Sequence, residues 1–287
     1  MHTNNGEIID SHFHIWDSTK LPMPWLELFK DTLRPIYTLN DYISAIHNSN
    51  IVQSVYMEVD TAHDHQKMEA DLAIALCNNN TQVAAAGIGC DLASSDFPEY
   101  IQHYAKNSNI KSVRHNFFAS DPKITTEENF IKNTQLLGQL NIMCDLIMPV
   151  DDMHYGITLA SLCPNTTFII DHCGACPPKA DSQTWDKWSL GIQNYAALNN
   201  VICKISECGF MQADYQWAIE DMSPIIQHCF HAFGKDRVIY GSNWPVCELT
   251  GTVEKWISAI HKSLEGVSKQ DLHKLFYLNA KHYYSLP

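Results

Sequence analysis

The stretch EIIDSHFH, residues 7–14, decides how this chain is read. Its first half is apolar and β-branched, the pattern of a strand covered on both faces, and its second half carries an aspartate and two histidines. Residues two apart on a strand share a side, so His12 and His14 face the same way. Working outward, seven more short apolar runs follow in a steady rhythm, at residues 54–59, 83–90, 110–116, 142–148, 167–173, 201–206 and 237–243. Longer amphipathic stretches separate them. Residues 39–49 open at Asn40-Asp41, and residues 63–78 carry apolar side chains at Met68, Leu72, Ala75 and Leu76. Residues 127–140 follow Thr125-Thr126, a cap-like pair with acidic residues in the first turn. Eight β–α alternations predict an α/β fold, a single (β/α)8 TIM barrel. Two doubly wound domains are the competing arrangement. No linker or composition shift divides the chain, and no phosphate-binding glycine motif is present, so one domain over residues 1–287 is expected.

Composition agrees. The chain has 287 residues with 19 Lys+Arg against 32 Asp+Glu, a formal charge of −13. Such a balance opposes non-specific nucleic-acid binding, which needs clustered cations against phosphate. Area scaling gives roughly 12,400 Å² for the folded chain and roughly 47,000 Å² unfolded, enough burial to fold without disulfides or a structural metal. The 10 cysteines are scattered through apolar runs, and the close pair Cys173 and Cys176 has no second pair to complete a zinc knuckle. They read as buried thiols in a reducing compartment. The first ten residues have neither a basic nor an apolar targeting region, and no apolar run approaches the about 20 residues a membrane span needs. A cytoplasmic protein without membrane contact is expected.

The unusual polar residues gather at strand ends. Beside His12 and His14 stand Glu58 at the end of run two, Arg114-His115 at the end of run four, Asp171-His172 at the end of run six and Ser242-Asn243-Trp244-Pro245 at the end of run eight, with Lys204 inside run seven. In a barrel these positions converge on the C-terminal face, where barrel chemistry is done. His47, His63, His65, His103, His154 and His228 fall in helical or loop segments and read as solvated. Residues 17–37, with Trp25, Phe29 and three prolines, form a long insertion expected to roof the active-site mouth, with plain surface packing as the alternative.

Taken in order, IIDSHFHIWD (8–17), KSVRHN (111–116), FIIDHCG (168–174), NVICKISECG (200–209), DRVIYGSNWPVC (236–247) and LNAKHYYSL (278–286) resemble the amidohydrolase superfamily across essentially the whole chain. The branch they are most similar to contains sugar lactonases and 2-pyrone-4,6-dicarboxylate lactonase. The resemblance implies a distorted TIM barrel that activates water against an ester, amide or lactone carbonyl, or in a related branch decarboxylates. It implies His12 and His14 as zinc ligands or substrate-polarising donors, His172 as a polarising or proton-transfer group, and Arg114 as a fork for a substrate carboxylate or carbonyl.

The chain departs from the pattern at Asn243, where the family has an aspartate that serves as base and metal ligand; a neutral amide does neither. Run five, IMCDLIM, also lacks the histidine of metal-binding relatives. His12 and His14, aided by Glu58 or His172, make a poor zinc site, since catalytic zinc commonly has three protein ligands plus water. The expectation is no cofactor, or one weakly held divalent metal such as zinc. Three readings follow: a lactonase with His172 as base and Asn243 orienting water, a barrel that binds ligand without turnover, and a metal-dependent decarboxylase. Lys204 reads either as a substrate or proton-transfer partner or as an ion pair with Glu58 or Asp145. Trp16, Trp25 and Trp244 could stack on a sugar or simply pack. With Arg114 and Lys204 as the basic strand-end residues, a substrate of few charges, hence a sugar lactone, is favoured. The expected partner is a small-molecule substrate, and a homodimer is left open.

Overall fold

The computed structural model describes residues 6–118, 120–212 and 214–287. Residues 1–5, on which the reading of the N-terminus partly rests, lie outside them. The eight strands are β1 (Ile8–Phe13), β2 (Ile51–Met57), β3 (Val83–Gly89), β4 (Ile110–Asn116), β5 (Met143–Ile147), β6 (Phe168–Ile170), β7 (Val201–Ser206) and β8 (Val238–Gly241). They form one parallel sheet in chain order. The sheet closes on itself: Phe13 bridges Trp244, the His14 N–H donates to the Trp244 carbonyl at 2.7 Å, and the Asn243 N–H donates to the His12 carbonyl at 2.8 Å. The result is a TIM barrel, with α1 (Leu39–Ala45), α2 (Gln66–Asn79), α3 (Phe97–Tyr104), α4 (Glu128–Gln139), α5 (Met153–Leu162), α6 (Ser182–Ala196), α7 (Ile219–Phe233) and α8 (Val253–Ser263) around it. The accessible surface, 12641 Å², is close to the roughly 12,400 Å² expected from mass. No helix among the described residues is long and apolar enough to cross a membrane.

The barrel interior is layered by strand alternation. Its N-terminal end is plugged by Ile9, Val55, Ala85, Met143, Ile169, Ile202 and Ile239, closed from below by Tyr284 and Leu286 of the C-terminal segment. Two residues further along β5, β6 and β7, on the same side, come Asp145, Asp171 and Lys204. The floor of the site is therefore a charged layer resting directly on an apolar one.

Local details differ from the sequence expectations. α1 is capped by Thr38 rather than Asn40-Asp41: Asp41 N–H donates to Thr38 Oγ1 at 3.2 Å and Thr38 N–H to Asp41 Oδ2 at 2.8 Å. Thr125 and Thr126 do not cap α4, because both hydroxyls donate back to carbonyls of their own 3-10 turn, Pro122–Thr126. Strand six ends at Ile170, and His172, Cys173, Gly174 and Ala175 all have left-handed φ, between 51° and 70°. Cys173 lies within this left-handed turn and is fully buried. All 10 cysteines are free and nine are buried. The insertion pairs Trp16–Asp17 with Ile36–Tyr37 and is anchored at the C-terminal face, where Trp25 Nε1 donates to the Val59 carbonyl and Thr61 Oγ1 to the Pro22 carbonyl. Between it and α2 runs an apolar cavity of about 480 Å³ lined by Tyr37, Leu72 and Leu76, which holds none of the site residues.

Candidate active site

β1 is irregular where it enters the site: Asp10 pairs with Ser54 but Phe13 with Tyr56, three steps against two. This bulge turns Phe13 outward to stack on Tyr42 at 4.0 Å and leaves His12 and His14 together, Nε2 to Nε2 at 3.1 Å. His14 is oriented by Nδ1, 2.9 Å from the Met57 carbonyl. Below them the Asp10 carboxylate locks the seam. It accepts from the His12 N–H, the Ser242 N–H and hydroxyl and the Tyr42 hydroxyl, at 2.6–3.1 Å. Asp10 thereby fixes the residue just before Asn243.

Asn243 has a left-handed φ of 59°, a conformation asparagine tolerates. Its Nδ2 donates to the Glu207 carbonyl at 3.2 Å, which leaves Oδ1 as its acceptor. The Glu207 carboxylate accepts from Gly209 N–H at 2.7 Å and Thr250 Oγ1 at 2.8 Å, tying the loop after β7 to the loop after β8; burial pushes it up to about 7. His172 is held twice by Ser206, through its N–H at 3.0 Å and its Nδ1 at 2.9 Å. Its ring lies 4.5 Å from that of His12, and Phe210, from the loop after β7, stands edge-on to it at 5.2 Å.

Charges meet beneath the histidines. Lys204 Nζ is 2.6 Å from Asp145 Oδ1, 2.9 Å from Asp171 Oδ1 and 3.3 Å from His12 Nδ1, and it has no exposed surface. Arg114 is paired through Nε with the Glu58 carboxylate, donates through Nη2 to the Glu58 carbonyl at 2.9 Å, and approaches Asp171 Oδ2 at 3.7 Å. Glu58 and Arg114 belong to strands separated by β3, and they reach each other over Gly89, where a Cβ would stand 3.0 Å from Glu58 Oε2. Burial, with Arg114 adding to it, lowers His14 to about 3. Burial likewise lowers His172 to about 3 against the pull of Asp171, and holds His12 well below its ordinary value. Burial alone would raise Asp171, but Lys204 and His12 outweigh it and hold the carboxyl well below its usual range. Asp145 is pushed up by burial to about 6 despite Lys204. At neutral pH the site is three uncharged imidazoles over an ionised floor.

His12, His14, His172, Arg114, Lys204, Glu58 and Asn243 thus converge. Arg114 and Lys204 arrive with their donors already engaged by carboxylates. Trp244 is set apart: 1% exposed, its ring lies against Tyr37 and Tyr42, and its indole N–H donates to Glu248 at 2.8 Å. The sequence reading left out Asp171 as a working group, Asp10, Ser206, Glu207 and Phe210. Among the described residues, one group of donors is close enough to hold a metal ion: His12, Asp171 and His172, with ligand atoms within 4.8 Å of one another. Two imidazoles and a carboxylate suit a divalent ion in type and number. Neither Asp171 oxygen has a well-aligned hydrogen bond from the described residues, which also fits a cation. Lys204 stands against that fit, because it already faces Asp171 and His12.

The family described as Amidohydrolase matches residues 9–286. The chain belongs to the amidohydrolases. An L-fucono-1,5-lactonase of Burkholderia ambifaria is 23% identical over 291 residues, covering 97% of this chain and 95% of that protein. An L-rhamnono-gamma-lactonase of Scheffersomyces stipitis is 22% identical over 98% of this chain and 99% of its own length. Among solved structures, an amidohydrolase from Burkholderia multivorans with bound zinc superposes with a TM-score of 0.88 at 20% identity, over 98% of this chain and 100% of that one. At such identity, the structural likeness speaks for the amidohydrolase barrel alone.

Proposed function

We propose that this amidohydrolase opens a lactone, most simply an uncharged sugar lactone, with water activated by His172. The observation that carries the reading is an uncharged, rigidly held His172 and an Asn243 that both face the Glu207 backbone, with Asn243 Nδ2 fixed on the Glu207 carbonyl so that Oδ1 can orient water. With Nδ1 turned to Ser206, the His172 Nε2 takes the proton as the water oxygen attacks the carbonyl carbon. The carbonyl electron pair moves to oxygen, where the Arg114 guanidinium, whose N–H donors are not all spent on Glu58, stabilises the charge. Collapse breaks the ring C–O bond, and the departing alkoxide recovers the proton from His172. Lactone plus water gives the hydroxy acid. An alkoxide leaves more readily than an amine, so a weak base suffices. The lactonase relatives support this substrate class, and the commitment of Arg114 and Lys204 to internal carboxylates argues against a polyanionic substrate.

A second reading rests on the His12, Asp171 and His172 donor group. These residues would hold a divalent ion, which when bound supplies Lewis-acid polarisation of a carbonyl or acidification of water; His172 is then a ligand rather than the base. A lactone panel followed by acid release separates the readings. Wild type should hydrolyse sugar lactones with and without chelator, and His172→Gln should lower kcat by roughly 10²–10⁴ while remaining folded by circular dichroism. Loss of activity on chelation would favour the second reading. A wild type inert on every lactone would leave a ligand-binding barrel, and an unimpaired His172→Gln would remove the base.

A further inference from the structure

We infer that Lys204 is the resident cation of this site and competes with a divalent metal for Asp171 and His12. The inference builds on the donor group described above, not on lactone turnover. Lys204 rises from β7 with no exposed surface, and its ammonium has three protons and three facing acceptors: Asp145 Oδ1 at 2.6 Å, Asp171 Oδ1 at 2.9 Å and His12 Nδ1 at 3.3 Å. Asp171 Oδ1 and His12 Nδ1 are themselves 3.5 Å apart, so Nζ stands across both at once. At His12 Nδ1 a metal ion needs the one lone pair that an ammonium proton occupies, and at Asp171 it would stand beside the ammonium, charge against charge. Asp171 is the shared donor whichever ring nitrogen His12 presents. On its other oxygen Asp171 faces a second fixed cation, Arg114 at 3.7 Å.

The hydrogen-bond pattern closes consistently around the ammonium. Lys204 donates to His12 Nδ1; His12 then carries its proton on Nε2 and donates to His14 Nε2; His14 carries its proton on Nδ1 and donates to the Met57 carbonyl. One set of tautomers accounts for the Lys204–His12, His12–His14 and His14–Met57 contacts together. A divalent ion on His12 and Asp171 would have to displace Lys204 from two acceptors and bring a second charge beside it. The remaining acceptor, Asp145, sits on the apolar floor and offers the ammonium no route to water.

The test is zinc affinity, measured on purified full-length protein by competition with a chromogenic chelator and checked by elemental analysis. Lys204→Met removes the competing cation and keeps the length of the side chain. It should bind zinc roughly 10- to 100-fold more tightly than wild type, the size of effect that a ligand's immediate partner commonly exerts. Because Lys204→Met leaves two buried carboxylates facing each other, it could fail to fold; Asp145→Asn combined with Lys204→Met removes one of them and should show the same gain. Equal zinc affinity in wild type and in the folded variants would overturn the inference, and so would tight stoichiometric zinc in wild type. Lactone hydrolysis is scored separately, so an inert wild type with a gain of zinc affinity in the variants sinks the proposed reaction and leaves the role of Lys204 standing.

Discussion

Asn243→Asp is the most informative single change. Asn243 is 2% exposed, and its Nδ2 donates to the Glu207 carbonyl at 3.2 Å. An ionised aspartate has no proton to give, so the substitution sets a carboxylate oxygen against a carbonyl oxygen in a site that water barely reaches. A buried acceptor left unsatisfied costs about 1–3 kcal/mol. Taking about 2 kcal/mol, and about 2–4 °C per kcal/mol for a domain of this size, the melting temperature should fall by about 4–8 °C at pH 8. Acid should repair the defect, because a protonated aspartate can donate to Glu207 as the amide does. The folded pKa of the new carboxyl is therefore raised above its unfolded value of about 3.9. Its contribution to stability is complete below about 3.9 and disappears as pH rises through the folded value. Thermal unfolding of both proteins at pH 5 and pH 8 measures this. Equal melting temperatures at pH 8, or a deficit larger at pH 5 than at pH 8, would refute the assigned hydrogen bond.

Two further changes probe the support of the site. Burial raises Glu207 to about 7, so its protonated form stabilises the fold fully below its unfolded value of about 4.3, and that stability is lost as pH climbs toward 7. Glu207→Gln cannot titrate, and the stability difference between wild type and variant should drift by up to about 3 kcal/mol between pH 4.5 and 7.5; parallel urea-derived stabilities across that range would contradict it. Gly87→Ala places a Cβ 2.6 Å from Ser112 Oγ and 2.9 Å from Met57 Sδ in the barrel interior. Overpacking there should cost about 1–3 kcal/mol by urea denaturation, and an unchanged midpoint would show that the layer is looser than described.

The barrel was legible because its strands are buried on both faces, so each reads as a near-continuous apolar run that few other structures require. The charged floor was legible in principle. Asp145, Asp171 and Lys204 lie two residues beyond Met143, Ile169 and Ile202, and alternation alone puts each on the inward side. The sequence left Lys204 either as a substrate partner or as an ion pair with Glu58 or Asp145; the Asp145 pair is the one that forms, and Asp171 is the partner not foreseen. Which carboxylates it meets depends on β5, β6 and β7 being neighbours, a property of the closed sheet. The Glu58–Arg114 pair was less accessible still, since it crosses an intervening strand and needs the gap that Gly89 leaves. The left-handed turn at 172–175 gave one local signal, Gly174, and three residues that ordinarily avoid that region. Phe210 and Glu207 lie in a loop whose path is set by contacts with Thr250 and Asn243, both distant in sequence.

Asn243 and Lys204 are best understood through the same charge balance. The buried site holds five acidic side chains, Asp10, Glu58, Asp145, Asp171 and Glu207, against two basic ones, Arg114 and Lys204. Lys204 and His12 hold Asp171 well below its usual range, yet even with Lys204 at 2.6 Å burial pushes Asp145 up to about 6. A further carboxylate at 243 would add a buried negative charge with no cation of its own, at a cost in stability. An amide at 243 avoids that cost, and an ammonium at 204 supplies positive charge where the metal-capable donors converge. Each residue makes the other easier to keep: an aspartate at 243 adds a buried carboxylate that destabilises the fold once ionised, and removing Lys204 while retaining Asn243 leaves Asp145 and Asp171 short of a cation. Inside the site the acids outnumber the bases, and burial leaves His172 uncharged among them.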